Sequence, residues 1–196
     1  TTFKRFVMNK GNCIIFSAPS GSGKTTLVKH LLSKDELNLK FSVSFTTRQA
    51  RDSEQEGVDY HFVSEKEFLE NIENENFLEF EQVYNETYYG TLKSLVKKQL
   101  EKHNVIFDID VKGGTKLKEF FKDSSLSVFV KTPRLDDLEK RLRGRDKDSE
   151  KSISERLNKA KKEIVKQDQF DKIIINDDLN KSKEKAFQIV KDFLIK

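Results

Sequence analysis

The chain has 196 residues, enough for one domain with a real core, and 36% of them are charged. Mean hydropathy is −0.69, and no apolar run approaches the ~18 residues that cross a bilayer, which argues against a helical membrane protein. A net charge of +4, with Lys and Glu interleaved as from Lys159 to Lys166, reads as solvated helix faces rather than a nucleic-acid groove; with no signal-peptide pattern at the start, the expectation is a soluble, cytosolic chain.

Residues 12–17 read as a buried strand. It contains the single cysteine, Cys13, which cannot form an internal disulfide and reads as a small packed hydrophobe. Ser17-Ala18-Pro19-Ser20-Gly21-Ser22-Gly23-Lys24-Thr25-Thr26 follows and runs into a helix predicted over 24–34, striped by Leu27, Val28, Leu31 and Leu32. Strand, Gly/Ser-rich loop and helix form the context of a phosphate-binding loop. Glycines let backbone N–H groups converge on an anion, and the helix N-terminus adds its dipole. Lys24 supplies a cation for the outer phosphates and Thr25 a hydroxyl for Mg²⁺. The pattern is G-x-x-x-x-G-K-[ST] with Ala18 at the first glycine position. The competing reading is an ordinary Gly/Ser turn before a helix.

A second short strand is predicted from Phe41 to Phe45, then a polar, irregular stretch from Thr46 to Gly57, and a strand from Asp59 to Val63. Ser64-Glu65-Lys66-Glu67 is a capping box opening a helix with Phe68, Leu69 and Ile72 on one side. Phe77 to Tyr84 alternates as a strand, and Tyr88-Tyr89-Gly90 is expected to turn the chain. Leu92, Leu95, Val96 and Leu100 mark a helix, Asn104 to Asp110 a strand, and Leu117, Phe120 and Phe121 a further helix. Leu126 to Lys131 is a strand ending near Pro133, and Leu135, Leu138 and Leu142 stripe the helix after it. Residues 150–168 read as a weakly apolar helix of the kind a mobile lid uses. Asp171 to Asn176 is the last strand, and Ala186, Ile189, Val190, Phe193 and Leu194 stripe a closing amphipathic helix. The rhythm argues for an α/β fold, a mainly parallel sheet covered on both faces. Residues 41–91 break it, and read as a small strand-rich insertion beside that sheet.

Three groups of side chains carry candidate chemistry. Arg48 and Arg51, with Tyr60 soon after, suit phosphate oxygens, since guanidinium forks meet them two at a time. Pairing of these arginines with Glu54 and Glu56 at the surface explains the spacing equally well. Asp108 and Asp110 end an apolar strand near the phosphate loop, where an acid helps organise Mg²⁺; a pair of solvated acids is the alternative. Arg141, Arg145 and Arg156 lie in or beside the predicted lid, placed to stabilise charge on a transferred phosphoryl group. By itself, such a set is also common on charged surfaces. His30, His61 and His103 lack metal-ligand spacing.

Over essentially its whole length the sequence resembles the guanylate kinases, nucleoside monophosphate kinases of the P-loop class. The resemblance rests on several segments in order. They are the loop from Ser17 to Thr25, Ser42-Val43-Ser44 with Thr46-Thr47-Arg48-x-x-Arg51, Gly57-Val58-Asp59-Tyr60-x-Phe62, and Phe77-Leu78-Glu79-Phe80. Tyr88-Tyr89-Gly90-Thr91, Asp108-Ile109-Asp110-Val111-x-Gly113 and Ile175-Asn176-Asp177-Asp178-Leu179 complete them. It implies a P-loop parallel sheet flanked by helices, with a core of 1–40, 92–140 and 170–196, a GMP-binding segment of 41–91 and a helical lid of 141–169. It implies that Arg48, Arg51, Tyr60 and Tyr89 hold the GMP phosphate, and that Ser44, Glu79, Thr91 and Asp110 read guanine. ATP would lie on Ala18 to Thr26, that is Ala18, Pro19, Ser20, Gly21, Ser22, Gly23, Lys24, Thr25 and Thr26, with Asn176 and Asp177 near adenine. Lys24, Arg141, Arg145 and Arg156 would surround the transferred phosphoryl, and Thr25 and Asp108 would serve Mg²⁺, the latter through water. Carboxylates only accept hydrogen bonds, which suits guanine's N1–H and amino donors and not the N1 acceptor of adenine.

The resemblance also implies ATP and GMP as substrates, a cytoplasmic monomer or small homo-oligomer, and no nucleic-acid or membrane partner. Two other readings stand beside it. Some guanylate-kinase-like domains are non-catalytic modules for phosphorylated peptides, but their phosphate loops are degraded, whereas Gly23-Lys24-Thr25 is intact. A different nucleotide kinase or P-loop NTPase would not need Glu79 and Asp110. Lys112 departs from the family's usual Gln, Asp146-Lys147-Asp148-Ser149 from its usual Gly-Thr-Glu-Thr, and Phe45 sits where the family varies.

Overall fold

In strand β1 (Cys13–Ser17), Ile14 and Phe16 point to one face while Cys13 and Ile15 point to the other, and all four are buried. A strand that is apolar on both faces needs a cover on each side, and the surrounding elements supply it. The computed structural model describes residues 11–51, 53–83, 87–144 and 149–195. Among them, a five-stranded sheet runs in the order β2 (Leu39–Phe41), β7 (Asn104–Ile109), β1, β8 (Ser125–Lys131), β9 (Lys172–Ile175), and every pairing is parallel. Helices α1 (Lys24–Leu32) and α7 (Leu179–Leu194) cover one face, packing Leu27, Val28, Leu31, Ala186 and Val190 against Ile14, Phe16, Ile106 and Val128. Helices α3 (Lys93–Leu100) and α4 (Val111–Phe121) cover the other, with Val96, Leu100, Leu117 and Phe121 against Cys13, Ile15 and Phe107.

The insertion forms its own four-stranded sheet, β4 (Tyr60–Phe62), β3 (Ser44–Thr46), β6 (Thr87–Leu92), β5 (Phe77–Val83), with α2 (Glu65–Glu73) packed on it through Phe68. Of the expected capping box one half is formed: the Ser64 hydroxyl accepts the Glu67 N–H at 3.2 Å. Two local expectations are corrected. The single strand predicted from Phe41 to Phe45 is two strands in different sheets. Ser42 and Val43 carry the chain from one to the other, with the Ser42 N–H still held by the Ile106 carbonyl at 2.9 Å. Tyr88-Tyr89-Gly90 does not turn the chain; it lies in the middle of β6. Gly90 serves packing instead, since a Cβ there would sit 2.9 Å from both the Phe68 and Phe77 rings.

Helices α5 (Leu135–Arg143) and α6 (Glu150–Ile164) share a small core of Leu138, Leu142, Ile153 and Ala160. Ser149 starts α6, its hydroxyl accepting the Ser152 N–H at 3.3 Å. Arg145 and the departures Asp146, Lys147 and Asp148 lie outside the described residues. No helix among the described residues is long and apolar enough to cross a membrane.

Candidate active site

The phosphate loop leaves β1 at Ser17 and enters α1 at Lys24. Gly21 and Gly23 take φ of +91° and +88°, a region closed to most side chains. A Cβ on Gly23 would also strike the Asn176 amide, which donates to the Ser22 carbonyl at 2.8 Å. Arg141 donates to the Asn176 carbonyl at 2.8 Å. Asn176, only 3% exposed, thus braces the loop from the end of β9. Lys24 Nζ donates to the Ile109 carbonyl and pairs with Asp108, both at 2.6 Å, and Thr25 Oγ1 donates to Asp108 Oδ2 at 2.7 Å. A cleft of about 450 Å³ opens over Ala18 to Thr26, walled by Asp108, Asp110, Arg156, Lys159 and Glu163. Arg156 reaches across from α6 to the Ser20 hydroxyl at 3.2 Å.

A second cationic centre sits in the insertion sheet. Arg48 is gripped by both oxygens of Glu54 at 2.6 Å, and its Nε donates to the Tyr89 hydroxyl at 3.0 Å. The guanidinium lies 4.8 Å from the Tyr60 ring centre, and Tyr60 meets Tyr89 edge to face. These hydrogen bonds hold the Glu54 carboxyl down to about 2 and raise Arg48 further. Arg51 is exposed and meets Glu54 through its backbone N–H at 2.9 Å. The two readings of Arg48 thus coexist: Glu54 does pair with it, while Tyr60 and Tyr89 shape the surface around its fork. Glu56 pairs elsewhere, with His61 at 2.9 Å and the Phe62 N–H at 2.8 Å.

A cluster of carboxyl groups, Glu79, Glu81 and Asp110, adjoins the phosphate-loop cleft, which Asp110 lines. A bulge between Phe77 and Glu79 sets Glu79 opposite Thr91, whose hydroxyl donates to Glu79 Oε1 at 2.7 Å. Burial pushes the Glu79 carboxyl up to about 7 against the pull of that hydrogen bond. Asp110 caps α4, accepting the Gly113 N–H at 2.7 Å. Burial opposes its ionisation, yet Glu81, that N–H, Lys159 and Lys24 together hold it below the usual carboxylate range. Gly113 makes room: a Cβ there would lie 2.5 Å from Ile109 Cδ1 and 3.1 Å from Glu79 Oε2.

The guanylate kinase family profile matches residues 10–194. The chain is 48% identical over 187 residues to a guanylate kinase of Bacteroides thetaiotaomicron, covering 95% of this chain and 91% of that protein. It is 45% identical over 184 residues to one of Porphyromonas gingivalis, covering 93% and 98%. The crystal structure of guanylate kinase from Anaplasma phagocytophilum superposes with a TM-score of 0.77 at 28% identity, covering 96% of this chain and 88% of that one. The chain belongs to the guanylate kinase family.

Within this guanylate kinase fold, the predicted residues fall into neighbouring groups. Ala18 to Thr26, Asp108, Asp110 and Arg156 line one cleft, and Arg141 stands behind it on Asn176. Arg48, Tyr60 and Tyr89 form the second group, with Ser44 on β3 beside Tyr60. Glu79 joins Thr91 through its hydrogen bond, and Asp110 is near enough to act on the Glu79 carboxyl. Asp177 is exposed. Residues to which the sequence assigned no role are Glu81, Lys159 and Glu163. Helical spacing offered a signal for the last two: Lys159 and Glu163 follow Arg156 at three and seven residues, one face of α6. Lys112, the departure from the family pattern, pairs with Glu81 at 3.3 Å.

Proposed function

We infer that this chain transfers the terminal phosphoryl group of ATP to GMP, giving ADP and GDP, within purine nucleotide metabolism in the cytoplasm. The observation that carries this reading is a cleft over a phosphate loop lined by Asp110, with the buried Glu79 close enough for Asp110 to raise its carboxyl, two groups suited to guanine. The ATP phosphates lie over Ala18 to Thr26, the adenine near Asn176 and Asp177. The GMP phosphate takes Arg48, Arg51, Tyr60 and Tyr89, and guanine meets Ser44, Glu79, Thr91 and Asp110. Residues 41–91 act as the GMP-binding segment and 141–169 as the lid.

No general base is required. The second pKa of a phosphate monoester is about 6, so GMP is largely dianionic at neutral pH. One of its phosphate oxygens bonds to the γ-phosphorus while the bond to the β–γ bridging oxygen breaks and ADP departs. The barrier is repulsion between anions, lowered by Lys24, Arg141, Arg145 and Arg156 and by alignment of the two nucleotides. Thr25 and Asp108 present hard oxygen donors 2.7 Å apart beside the loop, a donor set that fits Mg²⁺. Thr25 would hold the ion and Asp108 its water shell; when bound, it neutralises charge on the β- and γ-phosphates. Lid closure keeps water from taking the phosphoryl group.

An assay coupled to ADP release, with ATP, Mg²⁺ and each nucleoside monophosphate in turn, tests the assignment. Turnover with GMP far above AMP and UMP is expected. Equal or better use of AMP or UMP would overturn the guanine assignment.

A further inference from the structure

Helix α6 brings one more cation to the cleft. Lys159 lies one turn beyond Arg156, with Nζ 3.7 Å from Asp110 Oδ2 and 3.7 Å from Glu163 Oε1. Asp110 is crowded by carboxyl groups, Glu79 and Glu81 from β5 and Glu163 from α6, and the carboxyls of all three are raised, with Asp110 among the causes. Glu81 Oε2 is buried with no hydrogen-bond donor among the described residues, although Lys112 pairs with the other oxygen. Counter-charge at Asp110 comes from Lys24 and Lys159. Lys24 is already committed to Asp108 and the Ile109 carbonyl. Lys159 is therefore the counter-charge that belongs to the lid helix. A carboxylate offers about four lone-pair sites, so the Gly113 N–H on Oδ1 and an ammonium near Oδ2 leave room for donors of a base.

We propose that Lys159 is a positioning residue for guanine recognition: reaching from α6 to Asp110, it orients that carboxylate and ties lid placement to GMP occupancy. The inference rests on the reading of Asp110 as a guanine contact. Linkage makes the tie reciprocal: an ATP analogue that seats the lid tightens GMP by the factor by which GMP tightens the analogue. The pair is partly exposed, 43% for Lys159 and 30% for Asp110. Its coupling therefore belongs at the low end for linked sites, about fivefold.

Calorimetry of GMP binding, with and without a non-hydrolysable ATP analogue, tests this. In Lys159→Met the tightening of GMP by the analogue should fall about fivefold, and Lys159→Arg should restore it. In an Asp110→Asn background, Lys159→Met should change nothing further, because its effect passes through Asp110. No tightening in the unaltered chain, full tightening in Lys159→Met, or an equal loss in the Asp110→Asn background would overturn the proposal. Asp110→Asn binding GMP as tightly as the unaltered chain would overturn the guanine reading as well. Weak GMP binding in Asp110→Asn, together with full tightening by the analogue in Lys159→Met alone, would overturn the lid contact and leave the guanine reading standing.

Discussion

Glu79 carries a conflict between burial and charge. It is 8% exposed, and burial raises its carboxyl from 4.5 to about 7. With the folded-state value above the unfolded one, its contribution to stability is complete below about pH 4.5 and is lost as pH rises through about 7. A shift of that size corresponds to about 3 kcal/mol. Glu79→Gln stays neutral, so urea unfolding should show it more stable than the unaltered chain at alkaline pH and close to it in acid. Binding has the opposite sign, because the ionised carboxylate is the better acceptor for guanine. The KM for GMP should rise as pH falls below about 7. In Glu79→Gln only the titration of the GMP phosphate near about 6 should remain. The same variant should weaken GMP about tenfold or more while leaving ATP nearly unchanged, as loss of a charged hydrogen bond requires. Lys24→Ala should cut turnover by about 10²–10³, the scale of losing one donor to developing charge, with modest loss of stability. Turnover that survives intact would remove Lys24 from the phosphoryl path.

Elements set these side chains through packing. Helix α5 sits over the phosphate loop, where the side chains of Leu138 and Leu142 approach Gly21 closely. Leu142 is fully buried, and Leu142→Ala should cost about 2–5 kcal/mol in urea unfolding and raise the KM for ATP as the loop loses its cover. Gly113→Ala should cost about 1–3 kcal/mol, since its methyl meets Ile109. It should also raise the KM for GMP by displacing Glu79. Most elements were legible in the sequence because their signals are local: the stripe of α1, the Ser64 cap of α2, the apolar run of β1 and the alternation of β5. The errors came where partners in space overrule local pattern. Phe41, Val43 and Phe45 alternate like one strand, but the hydrogen bonds of Ser42 and Ser44 belong to different sheets. Tyr88-Tyr89-Gly90 looks like a turn until the rings of Phe68 and Phe77 are seen to require a bare backbone at Gly90.

At the scale of the whole molecule, the proposed transfer requires the two proposed anion pockets to be brought together with water kept out. Small-angle scattering should therefore show the largest contraction when GMP and a non-hydrolysable ATP analogue are both bound, and less with either alone. An unchanged profile with both would argue against residues 41–91 and 141–169 as moving segments. The order of residues along the chain was enough to establish a phosphate loop, a two-faced parallel sheet and the guanylate kinase resemblance. Those depend on short-range spacing and on backbone freedom at Gly21 and Gly23, which a one-dimensional record preserves. It could not show that Asn176 braces the loop or that Lys159 meets Asp110. Asn176 and Ser22 are 154 residues apart, and such pairings arise only when folding brings distant segments within a few ångströms. There, burial and neighbouring charge, rather than residue type, decide which groups are ionised and which are held in place.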